Sequence, residues 1–271
     1  MHDYVQGKQE EKRRKKAHKV HFIVLGIGIF LCCVGILWFL HSSLYTVSRI
    51  TVENIDPTLQ ASITQSAQEY IQDRSWFSSL FFNTQSFFGF RMSTLARKIT
   101  ELYPIVTDVT VSKNYITRTV TITARERKKV ALWCVTTDAC WWFDETGTIF
   151  LEGPSTQGQL IDKITSQSSD PISLGEKIPI QGDVSVIGPI FSFLDALHAP
   201  AKNIVWDRDR DEIRTDVYPQ FPTMYFSIHQ NPQYALPELQ KQNIKSLVYV
   251  DLTSTNRIYL CVRGSLCDTH K

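Results

Sequence analysis

Hydrophobic and polar positions alternate over residues 45–53 (YTVSRITVE), with Val47, Arg49 and Thr51 on one side and Ser48, Ile50 and Val52 on the other. A period of two predicts a strand. Asp56-Pro57 then opens a helix, with Asp56 as the N-cap and Pro57 at the first helical position. Leu59, Ile63, Ala67, Tyr70 and Ile71 keep the three-to-four spacing of an amphipathic helix. The spacing predicts a second helix over 93–103, capped by Ser93, with Leu95, Ile99 and Leu102 on its apolar side and Pro104 as its stop. Alternation returns at 105–112 and 118–124, two strands joined by a turn at Lys113-Asn114-Tyr115. Strand, helix, helix, strand, strand can place two helices on one face of a three-stranded sheet.

Helix signals thin out after Val130. Strands are predicted at 130–135, 141–143 and 148–151, with a turn at Asp144-Glu145-Thr146-Gly147. Pro, Gly and Ser interrupt 153–183, and a short helix follows at 186–198. Short strands are predicted at 203–206, 212–216, 224–228 and 247–251, and a last one at 257–262. A helix or turn is placed at 237–243. The expected fold class is α+β, the second domain being mostly antiparallel sheet with a short helix.

Residues 22–40 (FIVLGIGIFLCCVGILWFL) are uncharged. As a helix they would measure about 28 Å, near the ~30 Å hydrocarbon core. Trp38 stands where an indole prefers the interface. This predicts a single N-terminal transmembrane helix at 22–41. A cleaved signal peptide is the alternative; its apolar region is shorter and ends in small residues. The expectation is a single-pass plasma-membrane protein.

Charge sets the expected orientation. Of 29 Lys plus Arg and 27 Asp plus Glu, residues 1–21 hold seven basic and three acidic side chains, and the rest is slightly acidic. A basic tail before the span puts the N-terminus in the cytoplasm and the bulk of the chain outside. Nucleic-acid binding is excluded as an expectation, because the folded part carries no basic excess. A hydrophobic fraction of 43% excludes a disordered chain.

Cys32 and Cys33 lie in the apolar run. Cys134 with Cys140, and Cys261 with Cys267, form two equally spaced pairs. Outside the cytoplasm these favour disulfides, and four cysteines allow three connectivities. Local pairing is preferred, since 134–140 reads as a hairpin end that a bridge could pin. A four-Cys zinc site is the competing reading; its spacing is usually tighter.

Residues 76–90 hold seven aromatics, Trp76, Phe77, Phe81, Phe82, Phe87, Phe88 and Phe90. Several are expected to fold back onto the first domain; an exposed patch would mark an interface. The alternating charges of 207–212 read as a solvated turn rather than a cation loop. His198 and His229 lack metal-ligand spacing. No phosphate loop, dinucleotide fingerprint, zinc-protease motif or paired-carboxylate constellation is present. No catalytic, cofactor or metal residue is therefore assigned, and no small-molecule substrate.

The layout resembles a known family. The post-membrane strand 45–53, Leu102-Tyr-Pro104-Ile-Val106 followed by Val109-Thr-Val111, Val120-Thr-Ile122 with Glu126-Arg127 and Val130-Ala131-Leu-Trp133, Trp142-Phe-Asp144-Glu-Thr-Gly147-Thr-Ile-Phe150, and Leu247-Val-Tyr-Val-Asp251-Leu252 with Asn256-Arg-Ile-Tyr259 are similar to motifs of the bacterial cell-division family FtsQ/DivIB. The likeness covers most of 45–263 and is weakest over 153–235. Lys129 departs from the family's Pro, and Thr253 from its Arg. The loop between the two helices is also enlarged. The missing Arg puts in doubt any direct transfer of partner contacts at that position.

The resemblance implies a basic cytoplasmic tail (1–21), a transmembrane helix (22–41), a βααββ POTRA domain (45–126), a β domain (127–263) and a C-terminal tail (264–271). It also implies a non-enzymatic divisome scaffold at the division septum, with FtsB/FtsL-like bitopic partners and no cofactor. A last strand with a free edge can accept a partner strand through main-chain hydrogen bonds. Tyr249, Arg257, Ile258 and Tyr259 are the expected partner-binding residues. The alternatives are a POTRA-bearing export component and a sortase-like cysteine transpeptidase using Cys261, Arg263 and His198. The latter would need Cys261 to be a free thiol.

Overall fold

The computed structural model describes residues 24–36, 38–39, 46–73, 86–136, 138–155, 161–166, 172–199, 203–210, 212–215 and 221–269. The basic tail and Trp76, Phe77, Phe81 and Phe82 lie outside the described residues.

The expected transmembrane helix is corrected here. Among the described residues no helix is long and apolar enough to cross a membrane. The single-pass plasma-membrane localisation inferred from that run falls with it.

The chain divides into two compact units, residues 1–99 with 108–124, and residues 100–107 with 125–271. In the first, β1 (Arg49–Glu53) is followed by α1 (Pro57–Gln72) and α2 (Met92–Leu102), then by β2 (Val106–Asn114) and β3 (Thr119–Glu126). The sheet order is β1-β3-β2, with β1 parallel to β3. Asp56 caps α1 by accepting from the Thr58 amide, and Pro57 stands at its start. Ile63, Ala67 and Ile71 bury the helix stripe, and Leu95 and Ile99 do the same for α2. Leu102, on the same helix face as Leu95 but at the last position of α2, is 54% exposed. Phe87 and Phe90 are buried and Phe88 half-exposed, so this end of the aromatic stretch does fold inward. The Lys113 ammonium holds the Phe87 and Phe90 carbonyls.

The second unit is a nine-stranded sheet, ordered β12-β11-β10-β9-β8-β7-β4-β5-β6. Its strands are β4 (Ala131–Cys134), β5 (Cys140–Phe143), β6 (Ile149–Glu152), β7 (Lys163–Ser166), β8 (Asn203–Asp207), β9 (Glu212–Thr215), β10 (Thr223–Ser227), β11 (Leu247–Leu252) and β12 (Tyr259–Val262). The sheet is mixed: β4–β7, β7–β8 and β10–β11 pair parallel, and the other five pairings are antiparallel, so it is mostly but not wholly antiparallel. α3 (Ile187–Ala196) is followed by the short α4 (Leu236–Leu239). Ile187, Ile190, Phe193 and Leu194 of α3 share one buried cluster with Trp133, Trp206, Phe226 and Val250 of the sheet. Alternate residues of each strand therefore face a helical layer.

Candidate partner-binding edge

β12 closes the sheet order at one end, and no described strand pairs with its outer side. Its inner side is antiparallel to β11, with Asp251 opposite Tyr259 and Tyr249 opposite Cys261. Leu260 packs against the core, whereas Tyr259 is 46% and Val262 47% exposed.

The turn before β12 is fixed from three directions. Asp251 Oδ1 accepts from the Thr253 amide (2.9 Å) and hydroxyl (2.6 Å). Gln230 Nε2 donates to the Leu252 carbonyl at 2.8 Å. The Tyr234 hydroxyl lies 3.2 Å from the Arg257 carbonyl and 3.4 Å from that of Ser254. Burial, reinforced by the Asp251 charge, raises the Tyr234 pKa, so the hydroxyl keeps its proton and donates. After β12, the Arg263 amide donates to the Ser246 carbonyl. Cys261, fully buried, is bonded to Cys267.

The four expected edge residues do not share one place. Tyr259 stands on β12 and is exposed. Arg257 is exposed but lies in the turn before the strand. Ile258 is partly buried against the core. Tyr249 belongs to β11, between β10 and β12, where its backbone cannot take a further strand. Its ring meets Tyr225 edge-on at 6.3 Å between centroids. Val262 and Tyr234 are the residues that sequence reasoning missed. Strict alternation puts Val262 on the side of Leu260, yet it is 47% exposed at the end of β12, where the pairing with β11 shifts register between Leu247 and Tyr249.

The opposite end of the sheet is covered. The Ile149 amide donates to the Glu176 carbonyl, Gly175 N–H to the Ile149 carbonyl, and Ile178 N–H to the Gly147 carbonyl. Segment 175–178 thus occupies the hydrogen-bonding groups at the start of β6.

Asp207 on β8, Glu212 on β9 and Asp251 on β11 are close enough to act on one another electrostatically. Glu212 is held above its ordinary range by burial, Arg210 opposes this, and Asp207 and Asp251 add to it. Among the described residues Glu212 Oε1 has no hydrogen-bond partner, and it stands 3.7 Å from Arg210 Nη1. Among the described residues no group of three or more His, Cys, Asp or Glu side chains could hold a metal ion. The sulfurs of Cys134 and Cys140 are also bonded to each other, so all four cysteines outside the apolar run are paired locally. The chain matches no family model and no curated protein.

Proposed function

We propose that the chain is a non-enzymatic scaffold of bacterial cell division, which holds an extended segment of a partner by strand addition to β12. The partner class is a FtsB/FtsL-like division protein, as the FtsQ/DivIB resemblance of 45–263 implies. One observation supports the reading above others: segment 175–178 covers one end of the sheet at β6, whereas among the described residues no strand or segment pairs along β12 beyond its last carbonyl, that of Val262, which accepts from the Ser265 amide. An exposed edge is an aggregation hazard unless it is used or blunted. β12 is short, but Tyr259 and Val262 offer exposed apolar surface on it. The rigid turn under Tyr234 and Asp251 fits a preorganised acceptor strand.

The test is genetic and chemical together. Depleting the protein is expected to give filamentous cells that do not divide. A photo-reactive residue at Tyr259 is expected to crosslink a division protein in dividing cells. Normal division on depletion would overturn the reading.

A further inference from the structure

We propose that the Cys261–Cys267 bridge is a thiol-exchange site, at which a dithiol reductant attacks Cys267 Sγ and so releases the turn that follows β12. This chemistry does not depend on what β12 binds.

The two bridges offer a comparison within one unit. Each joins cysteines six apart in sequence. Cys134 and Cys140 are both 3% exposed and stand directly opposite each other on β4 and β5. Leu132 shares their buried cluster, and Trp142 and Ile161 pack against it. Neither cysteine offers a reagent an open approach while the sheet is intact. The other bridge is lopsided. Cys261 is fully buried on β12, whereas Cys267 is partly exposed in the short turn Leu266–Thr269. An attacking thiolate needs access to one sulfur only, and exposed bridges are the labile ones.

The direction of exchange follows from that asymmetry. A thiolate of the reductant bonds to Cys267 Sγ, and the bond between the two protein sulfurs breaks. Its electron pair leaves with Cys261 Sγ, which takes a proton. The second thiolate of the reductant then attacks its own sulfur in the mixed disulfide and expels Cys267 Sγ, which is protonated in turn. The protein gains two thiols, and the dithiol is oxidised to a disulfide. Ser265 Oγ lies 3.9 Å from Cys261 Sγ and 2.8 Å from Cys267 Sγ, within reach of either leaving sulfur.

The consequence is local. Between β12 and Cys267 no apolar side chain is buried: Arg263 and Gly264 are exposed, and Leu266 is 85% exposed. The main-chain ties there are the Arg263 amide to the Ser246 carbonyl and the Ser265 amide to the Val262 carbonyl. Reduced Cys261 stays buried as a small apolar residue. β12 therefore keeps its place beside β11, while its end and the turn after it loosen.

The experiment uses the folded full chain, with the free thiols of Cys32 and Cys33 first blocked by N-ethylmaleimide. Dithiothreitol is added, new thiols are trapped with iodoacetamide, and the labelled peptides are mapped by mass. The expected result is labelling of Cys261 and Cys267 about tenfold faster, or more, than of Cys134 and Cys140. Glutathione, which has one thiol, should leave its mixed disulfide on Cys267, with Cys261 trapped by iodoacetamide. Hydrogen exchange of the reduced chain should quicken over 262–266 and stay unchanged in β4. Similar rates at the two bridges, resistance of both, a glutathione adduct on Cys261 or on neither, or unchanged exchange over 262–266 would each overturn the proposal.

Discussion

Arg127 and Asp144 form a buried ion pair, Nη1 to Oδ2, with side chains only 11% and 7% exposed. Arg127 Nε also donates to the Pro104 carbonyl at 2.8 Å. The other carboxylate oxygen, Oδ1, accepts from the amides of Thr146 and Thr148. One contact thus ties the Glu126-Arg127 motif to the Asp144–Gly147 turn. Removing one partner strands a buried charge, so Asp144→Ala should cost about 3 kcal/mol in urea denaturation. A loss under about 1 kcal/mol would show that the pair is solvent-screened.

The same carboxylate predicts acid sensitivity. Burial pushes the Asp144 pKa up, but the Thr146 hydroxyl, Arg127 and the two amides outweigh it and hold it below the usual value. A lowered acid stabilises the fold above its unfolded pKa, and the gain is lost as pH falls through the folded value. Stability should therefore decline below about pH 4. Asp144→Asn should flatten that decline; an unchanged acid limb would place the sensitivity elsewhere.

Glu212 has the opposite sign. Its raised pKa means that ionisation opposes folding once pH exceeds the ordinary carboxylate range. Glu212→Gln should raise stability at pH 7 by up to about 1 kcal/mol, with the gain vanishing near pH 4. Thermal melts at the two pH values decide this, and a destabilised variant at pH 7 would contradict it.

The Cys261–Cys267 bridge pins the end of β12. Cys267→Ser should lower stability by about 2 kcal/mol in the chain-entropy account. Hydrogen exchange should quicken in β12 and its turn and stay unchanged in β4. Equal quickening in both strands would mean that the bridge stabilises the unit as a whole.

Most elements were legible in the sequence because each buries one stripe. Ile63, Ala67 and Ile71 on α1, and Val120 and Ile122 on β3, follow simple periods. β7 was not legible. It is Lys-Ile-Thr-Ser, with one apolar residue, between segments rich in Gly, Ser and Pro. Yet it sits mid-sheet and pairs parallel on both sides, which makes the sheet mixed. A parallel strand usually reads as an apolar run, and this one does not. The apolar run 22–40 read as a spanning helix, but among the described residues no helix is long and apolar enough to cross a membrane. At the edge, Tyr259 was legible, but the contribution of Tyr234 depends on a fold-back over 20 residues that no local pattern carries.

The most direct test of β12 as the acceptor edge is site-specific photo-crosslinking in dividing cells. The reactive residue is placed at Tyr259, at Val262, and at Ile116, a 95% exposed turn residue of the other unit. The account predicts one division-protein adduct from positions 259 and 262, with the crosslinked partner residues lying in an extended segment, and no such adduct from 116. The same adduct from all three positions, or none from 259 and 262, would contradict it.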